Sequence, residues 1–408
     1  MNWRLYAILS VFIFITVGRI EAQKKYDKAL QKADKQYNAG NYAKALSALN
    51  SFRASVTSGL GASNPYMVKY HIRDARFNLA YGMVNNLDQR LNNAIDVSKA
   101  VYGENTLEHA NTLVEVGEIY NQYGYFRLSN EVLSQVTRVV MTADKNHDAL
   151  RSKYILAMAE AQIGQGYYDR GIALLRSNEE FIAGRATTKE VSAESGKLVT
   201  RQVPAAELLE RYTGYARMLS LTTLAYGKKG DIDSMDISHS LSRPWLTKNL
   251  KTLEEKDIAL ILVQADYIYT RMYAENNDGD VPPMLPKYAD YGTQLAELKK
   301  TGVAPSIPLA HDIYLSLINQ RQREDNKSGY VNTKAEYERM LNKYFKKESV
   351  LFINLKSIEF DSRVQKDRIT NIESDALSTI TSKSLPRNHP TTLRILDFMY
   401  AASVQGRR

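Results

Sequence analysis

The sequence predicts an all-α protein, an α-solenoid of stacked helix hairpins, and three observations predict it. Glycines at 40, 124 and 166 are spaced 84 and 42 residues apart, and 84 is twice 42. Each sits in the same local pattern, with a small residue seven before it (Ala33, Gly117, Ala159) and an aromatic two after it (Tyr42, Phe126, Tyr168). A small residue follows five after the glycine (Ala45, Ser129, Gly171) and a leucine nine after it (Leu49, Leu133, Leu175). Around these marks apolar residues recur at spacings of three and four, as in Leu113, Val116, Ile119 and Tyr120, the stripe of an amphipathic helix. The chain of 408 residues is 44% hydrophobic and 24% charged, which is the balance of a folded chain. With no Cys it has no disulfide, no thiolate metal site and no Cys nucleophile.

Residues 1–22 read as a targeting signal. Arg4 gives a positive start, Leu5 to Val17 form an apolar run, and Ala22 places a small residue before Gln23, so cleavage is expected after Ala22. The run falls short of the ~20 residues that span a bilayer, so a retained anchor is the lesser alternative. Removing the segment takes away two positive charges and one negative, which lowers the net charge from +9 to +8. The expectation is a basic periplasmic or secreted protein with no stable membrane span and no nucleic-acid partner to meet. The Ala22-Gln23 pair at the cleavage site resembles exported proteins of Bacteroidota.

Within the array, the glycine closes a first helix because it adopts the left-handed conformation of a helix C-terminus. The small residues let the paired helices approach closely. One hairpin cannot bury its own face, so it stacks on its neighbours. Residues 94–133 carry the pattern in its fullest form: Ala94-Ile95 on a second helix, Tyr102-Gly103-Glu104-Asn105 as linker, and His109 at the next first helix. This resembles the tetratricopeptide repeat, and its 42-residue period is similar to the kinesin-light-chain type. Clear copies cover 33–50, 94–136 and 150–176, and a degenerate copy runs from Leu224 through Gly230 and Ile232 to Met235.

Residues 183–204 break the helical period, and Ser195-Gly196 predicts either a small β-hairpin near 186–203 or a loop. Pro/Gly-punctuated breaks at 276–286 and 301–308 flank a short helix from Tyr288 to Lys300. Residues 251–275 and 332–383 read as charged helical segments, broken near Ser349 and Lys383. His389-Pro390-Thr391-Thr392-Leu393 resembles a further repeat start, whose first helix runs to a turn at Gly406. That leaves a half-repeat, with either an unusual terminal cap or a longer protein continuing past Arg408. The organisation expected is therefore a signal at 1–22, an array at 23–182, degenerate repeats with an insertion at 183–304, and carboxy-terminal repeats at 305–408.

Catalytic signatures are missing: no HExxH, GxSxG, GxGxxG or P-loop occurs. Asp278 and Asp280 around Gly279 fall short of a calcium loop. His71, His109 and His147 are spaced 38 and 38, yet residues on successive helix pairs stand about 10 Å apart and cannot share one ion; they read as recurring helix-start residues. Glu179-Glu180 and Glu254-Glu255 point apart on a helix and read as solvated surface, while Lys343, Lys346 and Lys347 read as one helix face. The expected function is a non-catalytic scaffold, without cofactor, that holds a peptide or protein partner. The resemblance implies binding in the groove lined by first helices, at positions off the packing stripe: Lys32, Lys35, Gln36, Asn111, Glu115, Glu118 and Gln122. Tyr37 and Tyr123 would add aromatic contact. Two other expectations stand beside it, the recognition arm of a longer enzyme or sensor and a structural part of an envelope secretion or motility complex.

Overall fold

A computed structural model of the chain describes residues 23–185, 189–191, 198–200, 204–277, 290–364, 377–379, 381–382, 385–386 and 389–405. The expected signal segment, the Ser195-Gly196 turn, Asp278 and Asp280, Lys383 and Gly406 lie outside them.

Helices come in antiparallel pairs. The first four pairs are α1 (23–38) with α2 (Tyr42–Leu60), α3 (Pro65–Ala80) with α4 (Leu87–Tyr102), α5 (Leu107–Gln122) with α6 (Phe126–Ser134), and α8 (Asp148–Gly164) with α9 (Tyr168–Ser177). A five-residue α7 (Thr137–Met141) follows α6, and α10 (Glu179–Arg185) follows α9. Strands β1 (Lys189–Val191) and β2 (Leu198–Thr200) then pair antiparallel, Glu190 opposite Val199, so the break in the helical period holds a hairpin. Beyond it come α11 (Ala205–Lys229) with α12 (Ile232–Asn249), α13 (Glu255–Asn276) with α14 (Tyr291–Lys300), α15 (Pro308–Arg323) with α16 (Lys327–Tyr344), then α17 (Val350–Val364) and α18 (Pro390–Gln405). Because α16 ends at Tyr344, Lys346 and Lys347 lie past its end and do not extend the face of Lys343.

The turn glycines behave as the sequence predicts, with one addition. Gly40, Gly82, Gly124 and Gly166 all have φ between 72° and 85°, so a fourth member at 82 makes the period a regular 42. Helix starts are capped by side chains: Asn64 accepts from the backbone N–H of Tyr66 and Met67, Thr106 from His109, and Asp231 from Ser234. The small positions are needed for close approach. A Cβ at Gly117 would stand 2.7 Å from Leu133 Cγ, and one at Gly171 would stand 2.5 Å from Ile163. Ser129, packed against the same crossing, donates to the Gly117 carbonyl at 2.9 Å.

The carboxy-terminal helices return to the amino-terminal ones. Tyr42 Oη donates to the Ser306 carbonyl (2.9 Å), and Ser306 Oγ donates to the Gly40 carbonyl (3.2 Å). One repeat further along, the backbone N–H of Val350 donates to the Gly82 carbonyl (2.9 Å), and Phe345 packs on Tyr81. One further still, His389 meets the rings of Tyr123 and Tyr125 edge-on, with centroids 6.0 and 6.4 Å away. Repeats seven, eight and nine therefore sit on repeats one, two and three. The solenoid closes a full turn in six repeats and lays a second tier on the first. Apolar clusters seal the seam, one joining Tyr42 and Tyr81 to Ile313, Tyr337 and Leu355, another joining Leu87, Leu91 and Ile119 to Ile353, Leu385 and Ile395. Among the described residues no helix is long and apolar enough to cross a membrane.

Candidate functional site: the groove of the first helices

A groove of about 760 Å³ is lined by the first helices of repeats one to four, α1, α3, α5 and α8, together with Tyr102 at the end of α4 and Asn146 and His147 just before α8. Counting back from the turn glycines organises it. The residues thirteen before them are Asp27, Lys69, Asn111 and Lys153, and all four line the groove. The residues ten before them are Leu30, Ile72, Val114 and Leu156, each buried where first helices stack.

Ion pairs fix the neighbouring helices. Arg73 on α3 bonds both oxygens of Asp34 on α1, at 2.8 and 3.0 Å. Arg76 lies 3.5 Å from Glu115 on α5, and Asn111 donates to the same carboxylate (3.1 Å). On the next rung Arg217 of α11 bonds Glu118 of α5 (2.7 Å) and Glu160 of α8 (2.5 Å). Desolvation works against the Arg217 charge, and the two carboxylates more than offset it, so its pKa is raised. Lys69 and Lys153 take part in no ion pair among the described residues; Lys69 Nζ lies 5.0 Å from the Tyr66 ring centroid.

The residues expected to bind a partner divide into three groups. Asn111 and Glu115 line the groove, and Glu118 beside them is held by Arg217. Lys32 and Gln36 border a shallow cleft against α2, Lys35 and Gln122 are exposed, and Gln36 accepts from Asn41 (3.3 Å). Tyr37 and Tyr123 are packing residues: Tyr37 stacks on Phe77 (4.5 Å between centroids), and Tyr123, 6% exposed, stacks on Tyr125 under His389. Burial raises the pKa of both phenols. Lys69 and Lys153 went unnoticed in the sequence, although the 42-residue period that aligns them with Asn111 was in plain view.

The histidine file is not a recurring helix-start residue. His71 is the seventh residue of α3, His109 is the third of α5, and His147 precedes α8, because their spacing of 38 is not the repeat period of 42. His109 Nδ1 pairs with Ser98 Oγ (3.0 Å) in the core, and His147 pairs with Asp144 (2.8 Å) at the surface. Among the described residues no group of three or more His, Asp or Glu is placed to hold a metal ion. Compared with known proteins, the chain matches no family model and no curated protein.

Proposed function

We propose that this protein is a non-catalytic binding scaffold, an exported tetratricopeptide-type solenoid of the kinesin-light-chain kind, working in the periplasm or outside the cell. Its groove holds an extended, acidic segment of a partner protein. The observation that carries this reading is the row Lys69–Asn111–Lys153, two lysines without carboxylate partners among the described residues on either side of an amide, in a groove whose arginine, Arg73, is already paired with Asp34. Neighbouring first helices pack at about 8–10 Å, which sets the two lysines roughly 20 Å apart. An extended chain rises about 3.3 Å per residue, so the segment that fits carries acidic side chains about six residues apart. Lysine serves here as a flexible point charge, and the asparagine can bond the peptide backbone between the two.

The test is fluorescence anisotropy with labelled 15-residue peptides, one with two Glu six residues apart, one with the same residues scrambled, and one with Lys in place of Glu. The spaced acidic peptide should bind best, weaken at least tenfold in the Lys69→Ala/Lys153→Ala double variant, and weaken with added salt. Equal binding of all three peptides, or no loss in the double variant, would sink the reading.

A further inference from the structure

Helix α12 buries Met235, His239, Ser242 and Leu246 against α11 and α13. At about 100° per residue, the stripe on its opposite side is Asp233, Ile237, Ser240, Leu241, Pro244 and Lys248. All six are exposed. Ile237 is 59% exposed and Leu241 71%, more than any other Ile, Leu or Met among the described residues. The charged residues beside the stripe are engaged elsewhere: Asp236 accepts from Tyr269 Oη at 2.6 Å, and Arg243 Nε bonds both oxygens of Asp266 at 3.0 and 3.1 Å. Asp233 and Lys248, on the stripe itself, take part in no ion pair among the described residues. The stripe therefore runs from an acid in the first turn, through an aliphatic pair one turn apart, to a base in the last turn. Its ends stand about 22 Å apart along the helix.

We propose that this stripe is a homodimer interface, in which α12 of one protomer packs antiparallel on α12 of a second copy. An isologous contact lays one patch against itself across a two-fold axis, so the patch must be self-complementary. With the axis between Ser240 and Leu241, Asp233 of each protomer falls opposite Lys248 of the other, and Ile237 falls opposite Pro244. A parallel pairing would set acid against acid and base against base, so the charges select the antiparallel one. Ser240 at the axis is small enough for the helices to approach, which lets Ile237 and Leu241 of both copies join in one apolar patch. The same pattern favours a second copy over an unrelated protein, which would need no order of acid, apolar centre and base balanced about a midpoint. One helix face per protomer lies at or below the low end of the roughly 1,200–2,000 Å² that stable interfaces bury, so dimer and monomer exchange at micromolar concentrations. Helix α12 is a second helix and lies outside the groove of α1, α3, α5 and α8, so the inference does not depend on the reading given to that groove.

Sedimentation velocity of the whole protein from about 1 to 200 μM should show a reversible monomer–dimer equilibrium. Leu241→Asp should leave a monomer throughout, and Asp233→Lys or Lys248→Asp alone should weaken association at least tenfold. Asp233→Lys/Lys248→Asp together should recover it, because the reversed charges still meet across the axis. The chain has no Cys, so Ser240→Cys supplies a single thiol per protomer. A short bis-maleimide should couple two copies of that variant and leave Asp233→Cys uncoupled, since the two Asp233 positions stand about 22 Å apart in the dimer. Every substituted residue is exposed, and circular dichroism checks that helix content is kept. A monomer at every concentration would overturn the proposal, as would a dimer indifferent to Leu241→Asp. So would a dimer that the double reversal fails to restore, because its contact would then not be the antiparallel one.

Discussion

Burial holds His311 neutral. Its Nε2 donates to the Ser306 carbonyl (3.0 Å), Nδ1 accepts from Tyr337 Oη (3.3 Å), and desolvation lowers its pKa to about 4. The next residue does the reverse: desolvation raises Asp312 to about 6, against the opposing pull of Arg271. Asp312 is nevertheless exposed at the surface, thirteen residues before the turn at Asp325 and so at the position of Lys69 and Lys153, and solvent there screens the shift so that it weighs less on stability than that of His311. The signs follow from proton counts. Between pH 4 and 6.5 the unfolded chain binds the His311 proton and the folded chain does not, so this residue makes stability rise with pH and its contribution is complete above about 6.5. Between about 3.8 and 6 the folded chain binds the Asp312 proton and the unfolded chain does not, so this residue makes stability fall as pH rises. The two slopes oppose each other in the wild type. Asp312→Asn should steepen the gain in stability from pH 4 to 6.5, by up to about 3 kcal/mol for His311 at 1.36 kcal/mol per pKa unit. His311→Gln should remove the rise that His311 contributes and make the gain from pH 4 to 6.5 shallower than in the wild type. Urea unfolding at pH steps across this window reads the difference; parallel curves for the two variants would show that neither group titrates as described.

At the scale of elements, stacking of first helices is reinforced by ions as well as apolar contact. Arg217 ties α11 to α5 and α8 at once, across 99 and 57 residues of sequence. Arg217→Met should leave Glu118 and Glu160 facing each other without a cation and cost about 1–2 kcal/mol, since the site is partly open to water. Adding Glu118→Gln and Glu160→Gln should recover most of that loss in thermal unfolding, because the like charges are then gone; a further loss on adding them would rule out repulsion as the cause. Glu118 also shows what was legible in the sequence. Its place on a first helix off the packing stripe could be read from the period of α5, but its partner on α11 could not, since no local pattern links residues 99 apart. The repeat at Gly82 escaped notice for a different reason. Ala75 and Leu91 keep the pattern, but Val84 and Leu87 stand where the other copies have an aromatic and a small residue. Tyr37 and Tyr123 looked like contact residues because a tyrosine suits either a core or a surface, and what buries Tyr123 is a helix start 266 residues away.

At the scale of the whole molecule, a linear solenoid owes its stability to each repeat and its nearest neighbours, and can unravel from an end. This one adds contacts between repeats six apart, so its ends are tied to each other's neighbours and unfolding gains a long-range cooperative term. The sequence held a trace of this in the spacing of Ser306, Ser349 and His389, 43 and 40 residues, close to the 42 of the turns they meet. Three glycines separate the seam from ordinary turn geometry. Gly40, Gly82 and Gly166 have φ of 72°, 72° and 85°, so alanine at any of them carries a backbone cost of about 1–2 kcal/mol. At Gly166 that is the whole cost, because the space around it is open. At Gly40 and Gly82 the new methyl also meets a serine hydroxyl at 2.0 Å, and overpacking of that kind costs a further ~1–3 kcal/mol. Thermal unfolding should therefore rank Gly40→Ala and Gly82→Ala well below Gly166→Ala. The excess at Gly40 should shrink when Ser306→Gly is added, since the double change removes the clash that the single change creates. Small-angle scattering should show Gly40→Ala/Gly82→Ala more extended than wild type, and Gly166→Ala unchanged. Equal losses at all three glycines would mean that the tiers do not bear on each other at the turns, and the protein would then unfold as an ordinary one-dimensional array.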